Sequence, residues 1–84
     1  MNTTRIGDLK RGDVIQNRGE IAAEISDQAG IPESEVADRI WLAVIDATKF
    51  DWERFAITVL FDQVDGETVT IYLHGDQPVA TLDA

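Results

Sequence analysis

The clearest pattern of hydrophobic and polar positions lies in the second half of the chain. Residues 55–61 and 67–74 are rich in β-branched and aromatic side chains, which favour strands. Between them stands Asp65-Gly66, a pair that accepts the positive φ of a tight hairpin turn. The second run alternates between apolar and polar positions, which predicts one buried and one wet face. The residues expected to be buried are Val69, Ile71 and Leu73, and those expected to be wet are Thr68, Thr70, Tyr72 and His74. The pattern predicts a β-hairpin over residues 55–74.

Two short segments are predicted to add edge strands to this hairpin. Residues 14–16 lie between polar turns that contain glycine, which favours one short strand. Residues 77–82 follow a second turn and contain Pro78, which has no N–H group to give to a neighbouring strand. We therefore expect both segments at the edges of an antiparallel sheet of three to five strands.

Residues 20–29 have two competing periodicities. Their apolar residues alternate as in a strand, and the same residues also lie along one face of a helix. Gly30, followed by Ile31 and Pro32, is typical of the end of a helix. A helix is therefore the favoured interpretation, and a strand remains open.

Residues 33–48 have a stronger helical pattern. Pro32 suits the first turn of a helix, and the acidic start and Lys49 at the end match the helix dipole. The predicted apolar arc consists of Val36, Ala37, Ile40, Trp41, Val44 and Ala47. This interpretation places Trp41 in the core.

Part of the same segment also fits a strand. Leu42 and Ile45 fall on the polar face of the helix, which leaves open a rival strand over residues 40–45. With no linker and no internal repeat, residues 1–84 are expected to form a single α+β domain with one or two helices packed on the sheet.

The chain has a strongly negative net charge, which is distributed unevenly along the sequence. Sixteen acidic residues against seven basic ones give a net charge of −9. Residues 1–19 carry four bases and two acids, whereas residues 20–84 carry three bases and fourteen acids. An acidic body of this kind repels phosphate backbones and attracts basic partners. No apolar run approaches the roughly 20 residues of a membrane span, and cysteine is absent. We therefore expect a cytoplasmic protein that does not bind a membrane.

The sequence offers little of the chemistry that an enzyme needs. The single histidine, His74, falls on the predicted wet face, where a solvated or cross-strand-paired imidazole is expected rather than a catalytic one. Asp62, Asp65 and Glu67 surround Gly66, but they lack the spacing of an EF-hand calcium loop, and turn formation explains them. The sequence also contains no phosphate loop, dinucleotide fingerprint or zinc signature. The prediction is a non-enzymatic protein with no catalytic residue, metal or cofactor.

The loop before the hairpin is the candidate binding site. Trp52 stands there among charged residues, and an exposed tryptophan ringed by charge is typical of a binding hot spot. The same side chain could also close over the sheet. The predicted partner-binding residues are Phe50, Asp51, Trp52, Glu53, Arg54 and Phe55.

Residues 25–36 together with Ile40 resemble a helix-turn-helix, with a small residue at Ser26 and a glycine in the turn. With the hairpin behind it, the order is similar to a winged helix, and the helix pair also resembles the N-terminal arm of HU-type proteins. The resemblance implies nucleic-acid binding through Arg5, Lys10, Arg11, Arg18 and Arg39. The helix that would enter the groove departs from this pattern, because it carries mostly acids where major-groove readers carry Lys, Arg, Asn or Gln.

The two ends of the chain have a different resemblance. Residues 8–15 and 67–76 look like the first and last strands of small SH3-like barrels. Such segments resemble proteins encoded by short reading frames of actinobacteria and their bacteriophages. This resemblance implies that residues 20–54 are an elaboration inside a small barrel and that the helix-turn-helix likeness is a coincidence.

Three functional hypotheses follow. The leading one is a small acidic interaction module, phage-encoded or regulatory, that binds another protein. The first alternative is a winged-helix-like nucleic-acid-binding protein. The second is a DNA mimic, whose carboxylates are spaced like phosphates and occupy the DNA-binding site of another protein. A homodimer is also open, because the predicted edge strands could pair between chains.

Overall fold

The structure is a computed structural model that describes residues 2–82 of the chain. The strands are β1 (Asn2–Arg5), β2 (Val14–Gln16), β3 (Trp41–Lys49), β4 (Arg54–Asp62), β5 (Glu67–His74) and β6 (Pro78–Thr81). The helices are α1 (Glu20–Ala29) and α2 (Glu33–Ala37), and a short 3₁₀ turn at Ile6–Asp8 follows β1. The α+β class predicted from the sequence is confirmed.

The six strands form one antiparallel sheet in the order β1-β6-β2-β3-β4-β5. The prediction of three to five strands was therefore too low, because β1 has a polar sequence and forms only by pairing with β6. The prediction that 14–16 and 77–82 are edge strands was also wrong. β2 lies between β6 and β3, and β6 lies between β1 and β2. Pro78 is tolerated inside the sheet because it is the first residue of its strand.

The hairpin of β4 and β5 agrees with the prediction. Gly66 in the connecting turn has a φ of 70°, and Val59 and Ile57 lie opposite Val69 and Ile71. Along β5 the buried and exposed positions alternate as expected. The period of two in the sequence was sufficient here because β5 has one face on the core and one in solvent.

The helix predicted over residues 33–48 was wrong beyond Ala37. Residues 41–49 form β3 instead, which pairs with β2 on one side and β4 on the other. Leu42 and Val44 are buried, and a β-bulge between Val44 and Asp46 then shifts the alternation so that Ala47 also packs on the core. The bulge breaks the period of two, and the resulting spacing of apolar residues imitates a helical arc.

The expected core position of Trp41 was also wrong. Since Leu42 points into the core, its neighbour in the strand must point outward, and the side chain of Trp41 is 37% exposed.

The helix predicted over residues 20–29 is present as α1. Ile21 and Ile25 are buried on its inner face, and Gly30 ends it with a φ of 69°. The two helices lie between β2 and β3 in the chain and cover one core. The buried apolar residues are Ile6, Leu9, Ile15, Ile21, Ile25, Val36, Leu42, Val44, Ile57, Val59, Phe61, Val69, Ile71, Leu73 and Val79.

α2 is short and differs from the second helix that the helix-turn-helix resemblance implies. It ends at Ala37, so Ile40 lies outside it. Asn17 explains this end, because its Nδ2 donates to the carbonyl oxygens of Val36 at 2.7 Å and Arg39 at 2.8 Å. The resemblance to small barrels remains a prediction.

No helix within residues 2–82 is both long enough and apolar enough to cross a membrane.

Candidate protein-interaction site

The candidate loop joins β3 to β4, and its backbone is held by hydrogen bonds across its base. The N–H groups of Phe50 and Asp51 both donate to the carbonyl oxygen of Arg54, at 3.0 and 3.2 Å. The loop is also tied to the turn after β5, because the N–H of Gly75 donates to the carbonyl oxygen of Glu53 at 2.8 Å. The loop therefore has a defined backbone conformation.

Asp51 folds the loop around its own carboxylate. Oδ1 accepts the backbone N–H groups of Glu53 at 3.0 Å and Arg54 at 2.8 Å. Oδ2 accepts from Nε and Nη2 of the Arg54 side chain, at 3.2 and 3.1 Å. The N–H donors of Arg54 and Glu53, followed by the Arg54 guanidinium, lower the pKa of Asp51 below its ordinary value. The charged carboxylate thus stabilises this loop conformation.

Trp52 stands at the tip of the loop with 89% of its surface exposed. Of the two positions that the sequence left open for this side chain, the structure has the exposed one: the indole projects into solvent and does not close over the sheet. The charged residues predicted to surround it do so, because Asp51, Glu53 and Arg54 are all exposed beside it.

Phe50 and Tyr72 form an aromatic pair on the outer face of the sheet. Their ring centroids lie 4.6 Å apart with the planes tilted by 52°, and both side chains are exposed. The guanidinium carbon of Arg54 lies 5.8 Å from the centroid of Phe50. The sequence predicted that Tyr72 would be exposed but did not include it in the site, because the contact depends on a strand register that the sequence does not specify.

A shallow groove of about 370 Å³ runs beside Trp52. Its ionisable lining residues are Arg5, Asp8, Lys49, Glu53, His74 and Asp76. Nε2 of His74 lies 3.7 Å from a carboxylate oxygen of Glu53, and its Nδ1 accepts the N–H of Asp76 at 3.1 Å. His74 is therefore an exposed imidazole that pairs with a neighbouring carboxylate, as its position in the hairpin predicted.

Phe55 has a different environment from the other five predicted residues. Its side chain is half-buried and packs against the core. The ring also fills the space beside Gly75, where an added Cβ would lie 2.7 Å from Cε1 of Phe55. Phe55 thus anchors the loop and presents little surface to a partner.

The basic residues assigned to the nucleic-acid alternative occupy separate surroundings. Nη1 of Arg5 lies 3.9 Å from Oδ1 of Asp76, beside the groove next to Trp52. Arg18 precedes α1 and lines a different hollow. Lys10 and Arg11 are exposed in the turn before β2.

Arg39 is the basic residue most involved in the fold. Its guanidinium lies 4.3 Å from the centroid of the Phe61 ring, and its Nε donates to the Phe61 carbonyl oxygen at 2.8 Å. A second donor bonds the carbonyl oxygen of Glu35 at 3.1 Å. Arg39 therefore joins α2 to β4.

Of the three acidic residues near Gly66, Asp62 makes the contacts that form the turn. Oδ1 of Asp62 accepts the N–H groups of Val64 at 2.9 Å and Asp65 at 3.3 Å, which forms the turn. Within residues 2–82, no three histidine or acidic side chains converge as metal ligands.

Comparisons with protein-family models, with curated proteins and with solved structures give no match to this chain.

Proposed function

We propose that this chain is a small acidic interaction module that binds a partner protein through the loop between β3 and β4. The observation that carries the proposal is the exposure of Trp52 at the tip of a hydrogen-bonded loop. An indole in water leaves a large apolar surface unburied, and a partner that covers it gains the corresponding hydrophobic free energy.

The surroundings of Trp52 support this function. Asp51 holds the loop in one conformation, so that binding costs little conformational entropy. Phe50 and Tyr72 extend the apolar surface on the sheet, and Glu53 and Arg54 supply charge at its margin. An aromatic centre with a charged rim is the usual composition of a protein interface.

The proposal is tested by affinity capture from a bacterial lysate with quantitative mass spectrometry, with wild type and two variants as baits. Trp52→Ala removes the exposed indole, and we expect it to lose the specific partner. Val64→Ala is the matched control, because Val64 is 93% exposed on the other hairpin turn. Recovery of the same proteins by all three baits would contradict the proposal.

A captured partner allows a direct measurement. On titration into the partner, the fluorescence of Trp52 should shift to shorter wavelength, because the indole leaves water. A Trp41→Phe background removes the other tryptophan and assigns the signal. We expect Trp52→Ala to weaken binding at least about thirtyfold, the range of a hot-spot residue.

The nucleic-acid alternative has less support. Arg39 is engaged within the fold and Arg5 faces Asp76. The remaining three cations of that set, which are Lys10, Arg11 and Arg18, are few for a surface that must neutralise several phosphates. A mobility shift with duplex DNA at low salt tests this alternative, and it should show no complex.

A further inference from the structure

A second surface of the molecule has features of a docking site and shares no lining residue with the candidate loop of residues 50–55, hereafter the aromatic loop. Two adjoining hollows, of about 430 and 230 Å³, separate the first half of α1 from α2. Gly19, Ala22 and Ala37 line both of them. The hollows exist because these small side chains leave the space between the helices unfilled.

The floor of this groove is apolar and open. Ala23 lines the smaller hollow, and Ile40 lines the larger one with 42% of its surface exposed. Asn17 also lines the larger hollow. Its side chain is 3% exposed, and its Oδ1 has no hydrogen-bond partner within residues 2–82. A buried acceptor without a donor costs free energy, so Asn17 places an unsatisfied polar atom among the residues that line the larger hollow.

The two helices beside the groove form a helical layer, residues 20–38, that is rich in acidic side chains. The segment from residue 20 to residue 38 carries six carboxylates and no base. They are Glu20, Glu24, Asp27, Glu33, Glu35 and Asp38. Glu33 lines the groove itself, and Arg18 is the one cation among its described lining residues.

The salt bridges of the described residues involve other acids, namely Asp51, Glu53, Asp62 and Asp76. The six carboxylates of the helical layer are absent from these salt bridges, and Glu33 is the one of them that lines the apolar groove. An occupant with apolar side chains on one face and positive charges beside them would match both features.

We propose that the groove between α1 and α2 binds an amphipathic, positively charged helix of a partner protein, whose apolar side chains enter the two hollows. Its lysine or arginine residues then face Glu33 and the other carboxylates of the layer. This inference does not depend on the aromatic loop, so that either surface can function without the other.

The probe is a fluorescein-labelled peptide of leucine and lysine, about 18 residues long, with leucines at helical spacing on one face. A scrambled peptide of the same composition has the same charge but no apolar face. Binding is measured by fluorescence anisotropy, and the site is located from amide shifts in ¹⁵N-labelled protein. We expect the shifts to concentrate in residues 17–23 and 33–40, with the scrambled peptide binding at least about tenfold more weakly.

One variant separates groove docking from general electrostatic attraction. Ala37→Glu makes the surface more acidic but covers the apolar floor with a longer polar side chain, and Ala37 is exposed, so the fold should tolerate it. Groove docking predicts that this variant binds the peptide at least about tenfold more weakly. Ala23→Glu, in the other helix, should have the same effect.

Charge-reversing variants test the contribution of the carboxylates of the helical layer. Glu33→Lys should weaken peptide binding about threefold to tenfold, the effect of one exposed ion pair converted to repulsion. Asp46→Lys makes the same change in charge on β3 and should have a smaller effect. Trp52→Ala should leave peptide binding unchanged. The test of the groove is therefore independent of whether the aromatic loop binds a partner.

Three outcomes would overturn the inference. One is tighter or unchanged binding by Ala37→Glu and Ala23→Glu. Another is equal binding of the scrambled peptide, which would indicate a charged surface of the DNA-mimic kind with no groove contact. The third is a set of amide shifts confined to the aromatic loop or to the sheet.

Discussion

Three polar side chains hold backbone segments that the apolar pattern leaves undefined. Asn17 binds the carbonyl groups at the end of α2, Arg39 joins α2 to β4, and Asp51 closes the candidate loop. Each acts through hydrogen bonds to backbone groups, and the Val36 carbonyl that Asn17 satisfies is buried, where an unpaired polar group is costly. Polar residues of this kind have no periodicity, so a sequence pattern does not reveal them.

Asp51 predicts a pH dependence of the loop. Its pKa is lowered in the folded protein, so its contribution to loop order is complete above the ordinary aspartate pKa of about 3.9 and is lost as the pH falls through the folded pKa. In a ¹³C NMR titration of the carboxyl groups, Asp51 should titrate below the ordinary value. The amide order parameters of Glu53 and Arg54 should fall in parallel.

Asp51→Asn is the control for this titration. The amide retains an acceptor for the two backbone N–H groups but carries no charge. The loss of loop order in acid should therefore disappear in this variant. An ordinary pKa for Asp51, or an unchanged acid transition in Asp51→Asn, would show that the carboxylate does not hold the loop.

Arg39 predicts a stability difference between two arginines. Arg39→Ala removes the stacking on Phe61 and two hydrogen bonds to backbone carbonyls, so we expect the free energy of unfolding to fall by about 2 kcal/mol. Arg18→Ala makes the same change in charge at an exposed position and should cost less than about 0.5 kcal/mol. Urea denaturation followed by tryptophan fluorescence measures both values. Equal costs would mean that the Arg39 contacts contribute nothing to stability.

At the scale of elements, the main difference between the sequence pattern and the structure concerns β3. Residues 41–49 have apolar side chains on both faces and a bulge after Val44. Neither feature leaves a clean period of two, so the pattern favoured a helix and left the strand open as the alternative. Pairing with β2 and β4 decided for the strand, because each partner satisfies one edge of its backbone.

The outer edge of β5 predicts an effect on self-association. Nε2 of Gln28 in α1 donates to the Tyr72 carbonyl oxygen at 2.9 Å, and its Oε1 accepts the Tyr72 N–H at 2.8 Å. The Gln28 side chain thus replaces the backbone of a neighbouring strand at this edge. We expect Gln28→Ala to lower stability by about 1 kcal/mol and to produce concentration-dependent association, because an uncovered edge strand pairs with other chains.

Sedimentation velocity over a range of protein concentrations measures this association. Gln63→Ala, in the exposed turn between β4 and β5, is the matched control and should remain unchanged. If Gln28→Ala sediments like wild type at every concentration, the edge does not need the cover that Gln28 provides.

At the scale of the whole molecule, the uneven charge corresponds to separate surfaces. The helical layer carries six carboxylates without a base, whereas the aromatic loop and its groove have charges of both signs. The two proposed binding surfaces therefore differ in chemistry. One offers an indole and a rigid loop, and the other offers an apolar groove within a negative field.

The sequence by itself determined the α+β class and the hairpin of β4 and β5. It also favoured the helix over residues 20–29 and singled out the candidate loop around Trp52. These features depend on neighbours in the chain: an alternation of side chains, a glycine at a turn, a tryptophan between charges.

The tertiary structure alone decided the strand β3, the interior positions of β2 and β6, the contact of Tyr72 with Phe50 and the groove between the helices. Each of these depends on which distant segments pair or pack. Hydrogen bonds between strands and packing between helices leave no local period in the sequence, and they outweigh the weak propensity of a single segment.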